Sequence, residues 1–429
     1  MLNKLKDLFK NKDIRNRILF TLAMMLIYRL GAAIPVPKVD TNVLMASLND
    51  NSLLSMMNML GGGALERFSI FAMGVGPYIT ASIVIQLLAM DVIPSLTEMA
   101  KSGATGRQQM DKITRYLGVI LAFVQAGTMT YAFDVSYGIL STSNIATYLY
   151  IATVLTAGTM FLMWLGDRIT TKGVGNGVSM IIFAGILSNI PWNFLQVFNT
   201  LVDTSDSSTT FNGMLGFIGY CLMFLFIILL VIFMNNAVRK IPIQYTSSSL
   251  AKGRKDINYL PLKINSASVI PVIFASAIMT APITILSFFP QTEFSKTLSS
   301  VLSFSSISGL AIYLALIVMF TYFYTGLQVD PEKIAENLGK NGTYIPGIRP
   351  GKETKEYIHK VLYRITTLGA MFLAFIALLP YVIPMITKLP ASFGLGGTGI
   401  IIVVGVASET MKDLMGRLTQ KSYKGFSRN

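Results

Sequence analysis

Apolar stretches long enough to cross a bilayer as helices, about 20 residues each, recur along this chain and limit its fold more than any other feature. Ten candidate spans stand out, at 18–34, 70–90, 117–133, 145–165, 178–202, 213–234, 267–289, 307–329, 361–384 and 399–407. Only 13% of the 429 residues are charged, against roughly 25% in a soluble domain. That balance excludes a soluble single domain and a disordered chain. The lone cysteine, Cys221, excludes a disulfide scaffold. The expected class is an all-α polytopic membrane protein. The tenth span is the weakest, because its apolar core at 400–404 is short and flanked by glycine. Pro191 interrupts the fifth span, and Pro271 and Pro282 the seventh. No small-residue cleavage site follows the first apolar run, so 18–35 reads as a retained span.

The net charge is +14, which fits either a nucleic-acid surface or a topology signal. Position decides between them. Of the 35 Lys and Arg residues, 30 precede the first span, follow the tenth, or lie in alternate loops. The opposite side holds 5, namely Arg29, Lys38, Arg67, Lys296 and Lys388. Such a split predicts an even number of spans with both termini cytoplasmic. Two of the basic loops, 235–266 and 330–360, are long and carry Gly/Pro turn chemistry. They read as ordered docking surfaces or as flexible connectors.

The chain also repeats itself. Residues 77–82 and 271–276 both read Pro-x-Ile-x-Ala-Ser. Each falls in the second span of a five-span half, and the topology runs the two in opposite directions. A fainter echo joins 177–182 to 397–402. This is the pattern of an inverted repeat, with a site expected near the midplane between the halves.

Ion-coupled transporters carry ionisable groups inside their spans. Here Arg29 is the clear candidate, and it lies near a span end where it can snorkel. The single histidine, His359, lies in a loop, which excludes a His-Glu-x-x-His zinc site. No phosphate loop and no intramembrane acid/base pair is present, so neither a metal nor a cofactor is expected. The segment 52–60 is too short to span and precedes Gly61, Gly62 and Gly63. It reads as a half-helix re-entering from outside, which needs protein or water around it.

At this point the residues resemble the SecY family, channel subunits of bacterial Sec translocons. The stretch 61–86, GGGALERFSIFAMGVGPYITASIVIQ, carries the likeness, with GVGNGVS at 173–179, LPLKIN at 260–265, YIPGIRPG at 344–351 and GGT at 396–398. The resemblance covers essentially the whole chain. It implies ten transmembrane helices in two inverted five-helix halves, a clamshell around a central pore. Residues 1–202 would form one half, 203–212 an external hinge loop and 213–429 the other half. A plug at about 52–63 would include Ser52, Leu53, Leu54, Met56, Met57, Met59, Gly61, Gly62 and Gly63.

By the same resemblance, Ile79, Ile83, Ile182, Ile186, Ile273 and Ile402 form an aliphatic pore ring, and Thr80, Gln125 and Asn265 belong to a lateral gate. Lys252, Arg254, Lys255 and Arg349 would dock the SecA motor or the ribosome. Implied partners are SecE, SecG, secretory preproteins, nascent membrane proteins and the lipid bilayer. The chain would be a passive channel of the cytoplasmic membrane and not an enzyme. Independently of the family, Ile79 and Ile83 are one helical turn apart, as are Ile182 and Ile186, so each pair shares a helix face. A small-solute transporter and a membrane-embedded enzyme are the competing readings. They predict polar or acid/base clusters at depth, which the spans lack.

Overall fold

The computed structural model describes residues 10–41, 63–65, 67–89, 92–202, 207–245, 258–286, 293–304, 306–387 and 397–424. These residues are mainly helical, with one three-stranded sheet among them. The first half comprises α1 (Lys12–Ala32), α2 (Gly76–Leu88), α3 (Pro94–Lys101), α4 (Gly103–Tyr137), α5 (Ile145–Lys172) and α6 (Gly177–Leu201). After α7 (Ser207–Asn236) come β1 (Val238–Tyr245) and β2 (Asn258–Lys263). There follow α8 (Ile270–Leu286), α9 (Glu293–Leu302), α10 (Ile307–Gln328), α11 (Pro331–Lys340), β3 (Thr343–Tyr344), α12 (Lys352–Thr387) and α13 (Gly397–Lys424).

Helices α4, α5, α6, α7, α10 and α12 carry apolar windows long enough to cross a bilayer. The other four expected spans correspond to α1, α2, α8 and α13. Of these, α2 has only 13 residues and α8 only 17. Both begin with a proline in second position, Pro77 and Pro271, where the missing N–H is no loss. The outer helices show wide apolar faces. On α7, Phe211, Leu222, Phe226 and Phe233 are all exposed, as lipid contact requires.

Three differences from the sequence expectation have physical causes. Helix α2 starts at Gly76 and not near 70, because 67–75 runs mainly as turns. Irregular backbone at membrane depth needs protein around it. Ala64, Phe68 and Ser69 are indeed fully buried. The Val36 N–H donates to the Phe68 carbonyl at 2.9 Å and the Ile70 N–H to the Ile34 carbonyl at 3.1 Å. Gly158 of α5 lets the Ile70 carbonyl approach, since a Cβ there would overlap it. Second, the weak tenth span is the 28-residue helix α13, which continues well past its apolar core into Lys412 and Arg417. Third, Pro191 stays inside α6 without ending it.

Packing follows the two halves. In the first, α2 lies on α4, α4 on α5, and α1 on α5 and α6. In the second, α8 lies on α10, α10 on α12, and α7 on α13. At the end of α4, Asp134 accepts from the Tyr148 hydroxyl, from Ser143 Oγ at 2.7 Å and from the Leu140 N–H at 3.2 Å, which pins the α4–α5 turn.

The two long basic loops are ordered over their described parts and form one body. Antiparallel β1 and β2 come from the first, with Ile241 opposite Leu260, and β3 from the second adds to β1, giving the order β2-β1-β3. Ile241, Leu262, Leu338, Ile345, Ile358 and Leu362 bury against one another beneath the sheet.

Candidate functional site

The six isoleucines of the expected ring sit on α2, α6, α8 and α13. Ile186 and Ile402 are buried in one large apolar cluster, and Ile83, Ile182 and Ile273 pack against it. Ile79 packs against a neighbouring cluster that Ile182 also borders. The repeat is visible in helical register. Ile79 and Ile273 each stand fourth in their helix, and Ile182 and Ile402 each stand sixth. Four helix starts thus bring branched aliphatic side chains from both halves together. Side chains of this kind offer an ion no ligand and disfavour water.

Among the described residues the halves meet at several places, one of them a small cluster of Ile14 on α1 and Leu414 on α13. Along one seam α6 packs on α13 and on α7. There the Thr410 hydroxyl lies 3.6 Å from Met180 Sδ, and the Gly175 N–H donates to Asp413 Oδ2 at 3.4 Å. Elsewhere α10 meets α2, where the Tyr324 hydroxyl donates to Gln86 Oε1 at 2.6 Å. The Gln86 amide in turn donates from Nε2 to Ser82 Oγ at 3.0 Å. The Tyr324 ring is buried against Phe274 of α8, with centroids 5.5 Å apart.

The expected gate residues sit on α2, on α4 and just before α8. Thr80 turns its hydroxyl to the Gly76 carbonyl at 3.2 Å. Gln125 is half-buried on α4. Asn265 is buried between β2 and α8, beside Gly369 of α12, and its Oδ1 has no hydrogen-bond partner. Among the described residues no hydrogen bond joins these three side chains. Sequence reasoning missed Gln86 and Tyr324. A signal existed: Gln86 is a polar residue in an apolar helix, where it needs a partner.

Of the expected plug, Ser52, Leu53, Leu54, Met56, Met57, Met59, Gly61 and Gly62 lie outside the described residues. Gly63 is described, with φ +78°, and a Cβ there would stand 3.1 Å from Asn189 Oδ1 on α6, one turn beyond Ile186. Lys252, Arg254 and Lys255 also lie outside the described residues. Arg349 is exposed at the start of α12, between Gly347 and Gly351, both of positive φ. Its N–H donates to Glu353 Oε2 at 3.4 Å and its carbonyl accepts from Thr354 Oγ1 at 2.8 Å, so the backbone is fixed while the side chain points outward. Near the same end, partial burial and the Lys263 ammonium lower the pKa of Lys412.

The sequence model of the SecY family matches residues 69–411. The chain belongs to the SecY family. Protein translocase subunit SecY of Staphylococcus aureus (strain NCTC 8325 / PS 47) is 48% identical over 432 residues, covering 99% of each chain. Among solved structures, one of a SecY translocation channel with a plug domain matches with TM-score 0.66 at 19% identity, covering 97% of this chain and 95% of that one. Sec61 of a canine ribosome–channel complex matches with TM-score 0.62 at 17% identity, with the same coverage. At those identities the structural likeness establishes the fold, ten membrane helices in two halves. The SecY motif at 173–179 has a clear structural reason: Gly177 lies where any Cβ would overlap the Gly166 carbonyl.

Proposed function

We propose that this chain is the channel subunit of a protein translocon. It passes secretory polypeptides across the cytoplasmic membrane and releases apolar segments sideways into lipid. The observation that carries this reading is the meeting of Ile83, Ile182, Ile186, Ile273 and Ile402, from both halves, around one apolar cluster in a SecY-family chain. A ring of isoleucines binds no passing residue strongly and yields sideways, which suits a varied polypeptide. Its apolar wall holds back ions when no chain fills it.

In this reading the halves are 1–202 and 213–429, joined by 203–212. Segment 52–63 is the plug, ending at Gly63 beside Asn189. Thr80, Gln125 and Asn265 border the lateral exit. Both termini are cytoplasmic, as the 30-to-5 division of basic residues favours. The chain itself is passive. Drive comes from SecA or a translating ribosome engaging the basic body built by β1–β3, α11 and α12, with Arg349 and the Lys252–Lys255 tip as contacts. SecE and SecG complete the complex. Basic side chains suit either partner, pairing with ribosomal phosphates or with carboxylates.

The test is reconstitution with SecE and SecG in liposomes. With SecA and ATP, a secretory precursor is expected to become protected from external protease. Uptake of a small solute without any precursor movement would overturn the proposal.

A further inference from the structure

The turn joining α5 to α6, residues 173–176, is held from three helices at once. A Cβ on Gly173 would stand 2.5 Å from Thr21 Oγ1 of α1, and one on Gly175 would stand 2.9 Å from Thr410 Oγ1 of α13. One on Gly177, at the start of α6, would overlap the Gly166 carbonyl of α5. The side chain of Val174 is buried with Ile14 of α1 and Leu414 of α13. Backbone groups divide in the same way. The Arg17 guanidinium donates to the Gly173 carbonyl at 3.3 Å, and the Val174 N–H donates to Thr21 Oγ1 at 3.1 Å. The Gly175 N–H donates to Asp413 Oδ2 at 3.4 Å, and Arg417 Nε reaches both oxygens of that carboxylate, at 3.2 and 3.1 Å. One turn thus carries bonds from the start of the first half and from the end of the second.

Such a junction has little slack. Parting it would bare the buried side chains of Ile14, Val174 and Leu414 and strip the Gly175 N–H of its acceptor, and both changes oppose separation. At the opposite end of α6 the second half is tied again. Helix α7 begins six residues past Leu201, and Gly213 lies so close that a Cβ there would overlap the Leu201 carbonyl. Between these ends α6 packs along α13 and α7. Helix α6 has 25 residues, a line about 37 Å long, and it is bound to the second half at both ends and along its side. Two bodies joined along a line keep one easy motion, rotation about that line.

From this geometry we propose that the 173–176 turn, Thr410 and Asp413 form a bearing, the contact between the halves that stays closed while a polypeptide passes, so that the halves turn about α6. Asp413 is then a positioning residue for the ring. Asn176 caps the start of α6 through Val178 and Ser179, which fixes Ile182 about two turns beyond Gly175. Asp413 fixes α13 against the same turn, and Ile402 stands about three turns before it. Ile182 and Ile402 keep their register, and the ring members on α2 and α8 are those that swing. The inference rests on the channel reading above.

The test welds the junction in the full complex. Val174→Cys and Leu414→Cys are combined in a Cys221→Ser chain and oxidised or bridged by a short bifunctional maleimide, and closure is confirmed by loss of free thiol. With SecA and ATP, a secretory precursor is expected to cross at the same rate with the pair closed as with it open. A rate that falls on oxidation and returns with reductant would show that the junction must part, and would overturn the bearing. The second measurement reads the ring without any precursor, as resting ion conductance in planar bilayers. Asp413→Ala leaves the Gly175 N–H without its acceptor and is expected to raise conductance about threefold or more, as loss of one net hydrogen bond allows. Asp413→Asn keeps an oxygen there and is expected to restore most of the seal. Asp134→Ala, at the distant end of α4, is the control for general destabilisation and is expected to leave conductance unchanged. Conductance unmoved by Asp413→Ala, or raised equally by Asp134→Ala, would overturn the positioning role. Absence of all precursor movement in the unaltered complex would instead sink the channel reading.

Discussion

Ile182 and Ile402 hold the same position in their helices, sixth from the start of α6 and of α13, and they meet at the apolar cluster shared by the two halves. Pro77 of α2 and Pro271 of α8 repeat the relation earlier in each half, each standing second and each followed two residues later by an isoleucine. In the proposed channel, helix starts are therefore the devices that set the ring. A proline or a capped turn fixes where each helix begins, and the turn count from there fixes which face its isoleucines occupy.

Replacing ring members with polar side chains removes the dewetting barrier. Ile182→Asn combined with Ile402→Asn is expected to raise resting ion conductance in planar bilayers by about tenfold or more, a barrier change of about 1.4 kcal/mol. Leu229→Asn, on the exposed face of α7, is the control for nonspecific damage and is expected to leave conductance unchanged. Equal leak from both would mean that the isoleucines only pack.

Glycines of the 173–179 turn differ from the glycine before α2. At Gly177 a Cβ would overlap the Gly166 backbone carbonyl, and backbone has no easy way to yield. At Gly74 nothing lies within 4 Å, and only the positive φ of +56° opposes a side chain. Gly177→Ala is expected to abolish a folded product or lower the melting temperature strongly in detergent. Gly74→Ala is expected to cost only about 1 kcal/mol. Thermal unfolding of the two side by side checks the order.

Asp134 is nine-tenths buried and holds three donors, from Leu140, Ser143 and Tyr148. Asp134→Ala leaves those donors without a partner, at a cost of about 3 kcal/mol. A melting temperature within error of the unaltered protein would contradict that role.

Much of this was legible in the sequence, for stated reasons. Span number followed from the apolar runs. The Pro-x-Ile-x-Ala-Ser repeat located two helix starts to within a residue. What stayed hidden was tertiary. Nothing local says that 70–75 is irregular, since Phe71 reads as a span residue until the Ile34 and Ile70 backbone groups are seen to pair. Nothing local extends α13 to Lys424, because a polar helix outside the bilayer carries no apolar signal. The sheet pairs Ile241 with Leu260 across a loop, and Tyr344 with Gln244 over a separation of 100 residues. Tyr324 and Gln86 lie 238 residues apart, so their bond exists only in the fold.

In the proposed channel, Arg349 separates docking from stability. Its side chain is exposed while its backbone is held by Glu353 and Thr354. Arg349→Glu is expected to leave the melting temperature unchanged and to lower SecA-driven translocation about tenfold or more, as reversal of a contact charge can. Ile358, fully buried under the sheet, behaves oppositely: Ile358→Ala costs about 2–5 kcal/mol of packing. Translocation unaffected by Arg349→Glu would move the docking surface elsewhere.

The central claim is a polypeptide path through the ring, and its most direct test is site-specific crosslinking. Cys221→Ser gives a cysteine-free chain. Single cysteines are then placed at Ile83, Ile186, Ile273 and Ile402, with Leu229 as the lipid-facing control. A secretory precursor carrying one cysteine is stalled midway with SecA and ATP, and disulfides are scored. Crosslinks at all four ring positions and none at Leu229 are expected. A precursor that crosses the membrane while touching none of the four would contradict the account.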